Sequence, residues 1–174
     1  MRNIVFIGLM GAGKTTVGRR LAKRHQWPFL DTDHEIEARC GASVATIFDL
    51  EGEEGFRRRE AKVIAEVMCQ SGLVVTTGGG AVLRPENREA LSKGFVIYLD
   101  ADPEQLWTRL KSDTSRPLLA QSADPKATLA ALHAARDPLY RSIAHLIVPT
   151  TRASVSSVMR AIEQALEKAE NLPT

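Results

Sequence analysis

The stretch Ile4-Val5-Phe6-Ile7-Gly8-Leu9-Met10-Gly11-Ala12-Gly13-Lys14-Thr15 carries the strongest structural signal in this sequence. Its part from Gly8 onward matches the pattern G-x-x-x-x-G-K-[ST], and a continuous apolar run precedes it. Residues Thr15 to His25 continue as a helical segment, so a glycine-rich turn joins a buried strand to a helix. Glycines let backbone N–H groups turn toward phosphate oxygens, and the helix N-terminus adds its positive dipole end. The stretch therefore predicts a phosphate-binding loop.

The residue types in this loop predict separate roles in binding ATP. Lys14 is expected to reach the β- and γ-phosphates, and the Thr15 hydroxyl is expected to ligate Mg²⁺. The remaining ATP contacts are expected from the loop and the start of the helix, at Gly11, Ala12, Gly13 and Thr16.

Apolar runs and amphipathic segments alternate along the rest of the chain. Further buried strands are predicted at Phe29-Leu30, Leu73-Val74-Val75, Phe95-Val96-Ile97-Tyr98-Leu99 and Leu146-Ile147-Val148. Helical segments are predicted at Thr15 to His25, Glu53 to Gln70, Pro103 to Lys111 and, with one apolar face, Val155 to Ala169. This alternation predicts an α/β fold, with a parallel sheet covered by helices on both faces.

Length and composition indicate one soluble globular domain over residues 1–174, with 44% hydrophobic and 25% charged residues. The net charge of +2 is too small to suggest a partner that is nucleic acid or a membrane surface. No apolar stretch approaches a membrane span and no signal peptide is recognisable, so we expect a cytoplasmic protein. The two cysteines form no CxxC pair, and the four histidines form no HExxH motif. A metal ion, if bound, is therefore expected to be a hard one held by oxygen.

Two further motifs follow predicted strands. Asp31-Thr32-Asp33 comes directly after the second strand, and Gly78-Gly79-Gly80 follows the third. Ligands of open α/β sheets bind outside the carboxyl ends of the strands, so both motifs should lie beside the phosphate-binding loop. One carboxylate can approach Mg²⁺ through water while the other faces an acceptor hydroxyl. Taken alone, the first motif could also be a turn or helix cap, and the glycines could form only a tight turn.

Cationic residues follow in three places. The segment Gly52 to Glu60 opens a long helix, in which Arg57 beside Phe56 is the candidate for an inward anion contact. Its neighbours Arg58 and Arg59 are expected to be solvated. Arg136 lies in a segment, Ala135 to Tyr140, that is expected to end a helix. The polar segment of residues 112–124 has the length and composition of an active-site lid.

Taken together and in order, these motifs resemble shikimate kinase. They are Gly11 to Thr15, Asp31-Thr32-Asp33, Gly52 to Glu60, Thr77 to Gly80, Arg116-Pro117-Leu118-Leu119 and Arg136-Asp137-Pro138-Leu139-Tyr140. The resemblance implies a three-layer P-loop kinase fold with a five-stranded parallel sheet in the order 2-3-1-4-5 and a lid. It also implies transfer of the γ-phosphoryl of ATP to the 3-hydroxyl of shikimate, in the pathway to chorismate and the aromatic amino acids, by a monomer.

The resemblance assigns roles to individual positions. Shikimate would be bound by Asp33, Arg57, Gly79, Gly80 and Arg136. Among these, the two arginines would clamp its carboxylate, and Asp33 would hold the reacting hydroxyl and accept its proton. Arg116 would reach the ATP phosphates from the lid, and Asp31 would support Mg²⁺ through water. Arg109 and Arg152 would lie near the adenine; nothing distinctive surrounds Arg152.

Two other functional classes remain open from the residues. A gluconate kinase or a nucleoside monophosphate kinase could use the same scaffold, and gluconate also presents a carboxylate to arginines. The bare glycine turn is a poor base pocket for a nucleotide acceptor. A nucleotide-dependent switch, or a protein that has lost catalysis, would keep the loop but would not need Lys14, Thr15, Asp33 and Arg116 together.

Overall fold

The computed structural model describes residues 1–112 and 117–170. The strands are β1 (Ile4–Ile7), β2 (Phe29–Asp31), β3 (Val74–Thr76), β4 (Phe95–Asp100) and β5 (Leu146–Pro149). The helices are α1 (Lys14–His25), α2 (Thr32–Cys40), α3 (Val44–Met68), α4 (Pro85–Ser92), α5 (Pro103–Leu110), α6 (Pro117–Ala120), α7 (Pro125–Ile143) and α8 (Val155–Glu170).

The strands form a single parallel sheet in the order β2-β3-β1-β4-β5, as predicted. In its centre, Val5 of β1 lies between Val75 of β3 and Val96 of β4. All three side chains are completely buried. Strands that are buried on both faces consist of continuous apolar runs, and this pattern allowed the strands to be predicted from the sequence. The carboxyl end of β1 leads into the glycine-rich loop, and β2 and β3 end beside it.

Helix α3 departs from the predicted helix. It begins at Val44, capped by the Ser43 hydroxyl, rather than near Glu53. Gly52 interrupts it with φ 69° and ψ 179°, a backbone conformation essentially reserved for glycine. Two helical segments therefore meet at Gly52, and only the second was recognisable from the sequence.

The expectation that a helix ends within Ala135 to Tyr140 is wrong. Helix α7 runs to Ile143 with Pro138 inside it. Proline removes one backbone donor and disfavours a helix interior, but packing can override that preference. Here Arg136 and Tyr140 on either side of Pro138 are both buried, so the protein body holds this part of α7 in place.

The segment predicted as a lid is not wholly irregular. Its described part contains α6 over Pro117–Ala120, with Leu119 buried. Asp124 then caps α7 by accepting a hydrogen bond from the Ala127 N–H. Within the described ranges, no helix is both long enough and apolar enough to cross the membrane.

Candidate active site

A cleft of about 610 Å³ opens at the carboxyl ends of β1, β2 and β3. The phosphate-binding loop, Asp31, Asp33 and the glycine turn after β3 all line it. The convergence expected from the sequence is therefore confirmed. Additional lining comes from the start of α3 and from Pro117.

Lys14 is nearly buried beneath the loop, with 8% of its surface exposed. Its Nζ donates hydrogen bonds to the carbonyl oxygens of Gly8 at 2.7 Å and Leu9 at 2.9 Å. The preceding Gly13 caps α1 with φ 94°, so the loop turns into the helix without a strained side chain. These contacts fix the ammonium at a helix N-terminus, where anions bind favourably.

The Asp31 carboxylate ties the loop to two strands. Its Oδ2 accepts hydrogen bonds from the Thr15 and Thr76 hydroxyls, both at 2.9 Å. Its Oδ1 caps α2 by accepting from the backbone N–H groups of Asp33 and His34. Asp31 is thus a helix cap, which was one of the alternatives for this motif, and it is also a hydrogen-bond partner of Thr15.

A second, smaller cavity of about 60 Å³ adjoins the cleft and contains two buried arginines, Arg57 and Arg136. Arg57 projects inward from α3 with 7% of its surface exposed. Its Cζ atom lies 5.2 Å from the centre of the Phe56 ring. Its Nη1 donates to Oε1 of Glu60 at 2.9 Å, and its Nη2 lies 3.4 Å from Oε1 of Glu53. The expected inward orientation is confirmed, and Arg58 remains mostly exposed.

Burial changes the charge balance around Arg57. Glu60 is completely buried, and desolvation raises the pKa of its carboxyl, although Arg57 opposes that rise. Glu60 thus partly neutralises Arg57 at a cost in desolvation free energy.

Arg136 projects from α7 into the same cavity with 3% of its surface exposed. Burial lowers the pKa of its guanidinium, and the nearby Arg57 lowers it further. No carboxylate among residues 1–112 and 117–170 lies within ion-pair distance of Arg136. Two buried cations lie near one another, and within the described part of the chain only Arg57 has a carboxylate at ion-pair distance. This excess of positive charge makes the cavity strongly attractive to an anion.

The glycine turn is bare because the cations and Asp33 occupy the space next to it. A Cβ on Gly80 would lie 2.2 Å from Nη2 of Arg57, and one on Gly78 would lie 2.8 Å from Oδ1 of Asp33. Asp33 lines both the cleft and the smaller cavity. A carboxylate therefore stands at the junction between a phosphate-binding loop and an anion-binding cavity.

Comparison with known proteins places this architecture in a family. The family model described as shikimate kinase matches residues 10–167 of the chain. The chain belongs to the shikimate kinase family. The matched range includes the phosphate-binding loop from Met10 onward, both arginines of the smaller cavity and the segment predicted as a lid.

Curated relatives agree along nearly the whole length. The shikimate kinase of Burkholderia thailandensis is 56% identical over 168 residues, which covers 96% of this chain and 91% of the relative. The shikimate kinase of Aromatoleum aromaticum is 50% identical over 165 residues, with 94% of each chain covered.

Solved structures extend the family likeness to three dimensions. A shikimate kinase from Acinetobacter baumannii, solved in complex with shikimate, superposes with a TM-score of 0.94 at 43% identity, covering 99% of this chain and 96% of that chain. A gluconokinase from Sinorhizobium meliloti superposes with a TM-score of 0.64 at 20% identity, covering 98% of this chain and 94% of that chain. The second likeness is one of fold alone. Together they agree with the P-loop kinase fold implied by the sequence resemblance.

The arginines expected near ATP fall in different places. Arg109 Nη1 donates to the carbonyl oxygen of Gly11 at 3.0 Å, which brings α5 to the phosphate-binding loop. Arg152 is exposed with φ 58°, and its backbone N–H donates to the Gln105 side chain. Neither residue lines the cleft. Arg116 lies outside the described residues.

Sequence reasoning missed three residues that organise the site. Glu60 pairs with Arg57, Thr76 donates to Asp31, and the Tyr140 hydroxyl donates to the carbonyl oxygen of Gly79. The three-residue spacing of Arg57 and Glu60 on a helix could have indicated the first pair. The other two contacts join segments far apart in the chain and carry no local signal.

Proposed function

We propose that the protein transfers the γ-phosphoryl group of ATP to the 3-hydroxyl of shikimate, giving shikimate 3-phosphate and ADP. The observation that carries the proposal is the pair of buried cations, Arg57 and Arg136, across Asp33 from the phosphate-binding loop. Family membership and the shikimate bound to the Acinetobacter relative support the choice of acceptor.

In this proposal, the two arginines bind the shikimate carboxylate. Each guanidinium presents planar donors suited to a carboxylate. A charge-assisted hydrogen bond in a buried cavity also contributes more binding free energy than it would in water, because fewer water molecules screen the charges. The glycine turn at Gly79 and Gly80 gives the ring room to lie against backbone. This arrangement directs the opposite side of the ring toward Asp33.

The chemical step then needs little covalent participation from the protein. The 3-hydroxyl oxygen forms a bond to the γ-phosphorus, the bond to the bridging oxygen breaks, and that electron pair leaves with ADP. Asp33 orients the hydroxyl and accepts its proton. Lys14 and Arg116 stabilise the charge of the moving phosphoryl group, as expected for a loose transition state.

The residues at the loop fit Mg²⁺. Thr15 donates its hydroxyl proton to Asp31, which leaves the oxygen lone pairs available to a cation. Hard oxygen donors of this kind suit Mg²⁺, with Thr15 as direct ligand and Asp31 acting through water. When bound, the ion would screen the phosphate charges and help to orient the triphosphate.

The remaining assignments are part of the same proposal. Arg116 reaches the ATP phosphates from a lid of residues 112–124, and lid closure excludes water that would otherwise compete as acceptor. Arg109 and Arg152 border the adenine site. The enzyme acts as a cytoplasmic monomer, and its two cysteines are free thiols, as expected in a reducing compartment.

The test is ADP release by purified protein with Mg²⁺ and ATP, with shikimate, gluconate or no acceptor added. We expect release that depends on shikimate, and loss of that release when EDTA is added in excess of Mg²⁺. Release with gluconate would indicate a different acceptor for the same cavity. Equal release without any acceptor would favour an ATPase or nucleotide switch and contradict the proposal.

A further inference from the structure

Tyr140 is a completely buried residue that connects the two sides of the acceptor cavity. Its hydroxyl donates a short hydrogen bond to the carbonyl oxygen of Gly79, in the turn after β3. Arg136 precedes it by one helical turn of α7, and its guanidinium interacts with the same hydroxyl. One phenol oxygen therefore donates to the glycine turn and interacts with Arg136, a cation that has no ion pair among the described residues.

The chemistry of a phenol suits both contacts. The hydroxyl has one proton to donate and lone pairs to accept, so it can donate to Gly79 and accept from Arg136 together. Burial raises the pKa of Tyr140 to about 12, so the proton stays on the oxygen at neutral pH. The hydrogen bond to Gly79 is consequently present throughout the physiological range.

Holding the Gly79 carbonyl also fixes the following N–H group. The peptide between Gly79 and Gly80 is planar and trans, so the Gly80 N–H points opposite to the Gly79 carbonyl. Two glycines in succession have no side chains of their own to restrain the turn. A Cβ on Gly79 would lie 3.3 Å from Nη1 of Arg136, so the turn and the guanidinium are already closely spaced.

We propose that Tyr140 is a positioning residue for the acceptor, whose hydroxyl sets the orientation of the Gly79–Gly80 peptide and its distance from Arg136. The inference rests on the proposed function, because it assigns that cavity to shikimate. Loss of the hydroxyl should weaken shikimate use while leaving ATP binding intact, since Tyr140 does not line the ATP cleft.

Tyr98 provides a matched control on the same aromatic pair. The two rings lie 4.9 Å apart, and the Tyr98 hydroxyl donates to Asp137 at 2.8 Å, away from the glycine turn. Tyr140→Phe and Tyr98→Phe each remove one buried hydroxyl and keep the ring. Only the first breaks the link between Gly79 and Arg136.

The experiment measures KM and kcat for shikimate, KM for ATP, and Tm in the wild type and both variants. For Tyr140→Phe we expect kcat/KM for shikimate to fall by about tenfold or more, with the KM for ATP within about twofold of wild type. Tyr98→Phe should keep both KM values within about twofold. A second variant, Gly79→Ala, would place a Cβ 3.3 Å from Nη1 of Arg136 and 3.4 Å from the backbone N of Met10. It should lower kcat/KM for shikimate more than it raises the KM for ATP, including where Tyr140→Phe does not fold.

Three outcomes overturn the inference. They are a Tyr140→Phe enzyme with wild-type shikimate kinetics, equal losses for shikimate and ATP, and an equal shikimate effect in Tyr98→Phe. In each of these the wild type still phosphorylates shikimate, so the proposed function survives. Absence of shikimate-dependent ADP release in the wild type overturns the proposed function, and the role of Tyr140 with it.

Discussion

Arg57 and Arg136 reach the same cavity, but they differ in what compensates their charge. Arg57 has a buried carboxylate at 2.9 Å, whereas Arg136 interacts with a neutral phenol. Removing one partner of a buried ion pair leaves the other uncompensated, which is strongly destabilising. Substitutions at the two positions should therefore affect binding alike and stability differently.

We predict that Arg136→Met raises the KM for shikimate by at least about thirtyfold, equivalent to roughly 2 kcal/mol or more, because a buried charge pair is lost. Its Tm should stay near or above that of the wild type, since a buried cation is replaced by an apolar chain of similar length. Arg57→Ala should raise the same KM and also lower the Tm, because Glu60 loses its partner. Steady-state kinetics and thermal unfolding measure both effects.

Arg58→Met is the control, because this neighbouring arginine is exposed and its contact with Glu54 is 3.9 Å long. It should leave KM and Tm nearly unchanged, as expected for a surface ion pair. An unchanged KM in both Arg57→Ala and Arg136→Met would place the acceptor carboxylate elsewhere.

Among the secondary-structure elements, helix α3 shapes the site through the kink at Gly52. Val44 and Phe48 before the kink and Phe56, Arg57 and Glu60 after it all line the smaller cavity. A straight helix could not direct both segments around one cavity. The kink at Gly52 therefore positions the apolar and the cationic walls relative to each other.

We predict that Gly52→Ala lowers stability by roughly 1 to 3 kcal/mol and raises the KM for shikimate, because its φ of 69° with ψ of 179° is strained for alanine. Gly41→Ala is the control: both glycines have open space for a Cβ, but Gly41 has φ 64° and ψ 23°, in the left-handed region that other residues can adopt. Equal losses of Tm and equal KM values in the two variants would contradict a role for the kink.

His145 joins β4 to the start of β5 in a pH-dependent way. The Nδ1 of its ring accepts a hydrogen bond from the Val96 backbone N–H at 3.1 Å. The backbone N–H of His145 donates to the Val96 carbonyl oxygen at 2.8 Å. Burial and the nearby Arg2 lower the pKa of the imidazole. Its contribution to stability should be complete above the ordinary histidine pKa of about 6.5, and lost as pH falls through the folded-state value.

Thermal unfolding from pH 8 to pH 5 tests this expectation. His145→Asn offers a non-titrating oxygen acceptor in place of Nδ1, so its Tm should fall less on acidification than that of the wild type. Equal decreases of Tm in the wild type and in His145→Asn would contradict a role for the His145 imidazole in this pH dependence.

At the scale of the whole molecule, the phosphate-binding loop, the smaller cavity and Pro117 meet at one edge of the sheet. Pro117, within the segment of residues 112–124 predicted as a lid, lines both the cleft and the smaller cavity. The proposed lid therefore borders both proposed substrate sites through Pro117, while Arg57 and Arg136 line the smaller cavity alone.

We predict that Arg116→Ala lowers kcat with little change in shikimate binding, because this arginine is assigned to the moving phosphoryl group. Steady-state kinetics with shikimate titrations measure both quantities, and Arg160→Ala, at an exposed arginine of α8, is the matched control. Normal turnover of ATP and shikimate by Arg116→Ala would remove the assigned role.

The strands, the phosphate-binding loop and the motifs beside it could be predicted before the structure was known, because continuous apolar runs and glycine spacing are local signals. The sequence also singled out Arg57 over Arg58 and Arg59. The kink at Gly52 and the continuation of α7 past Pro138 were not recognised, since packing decided both against local preference.

The side chains that compensate the charges of the site are brought together by the packing of the sheet and helices. Glu60 behind Arg57, Thr76 on Asp31 and Tyr140 between Gly79 and Arg136 are partners chosen by burial. A buried polar group must find a partner wherever the fold brings one, and for Tyr140 and Gly79 that partner lies 61 residues away in the chain. No local pattern encodes such a distance, so the contacts of Thr76 and Tyr140 could be recognised only in the folded structure, whereas the helical spacing of Arg57 and Glu60 is a local signal.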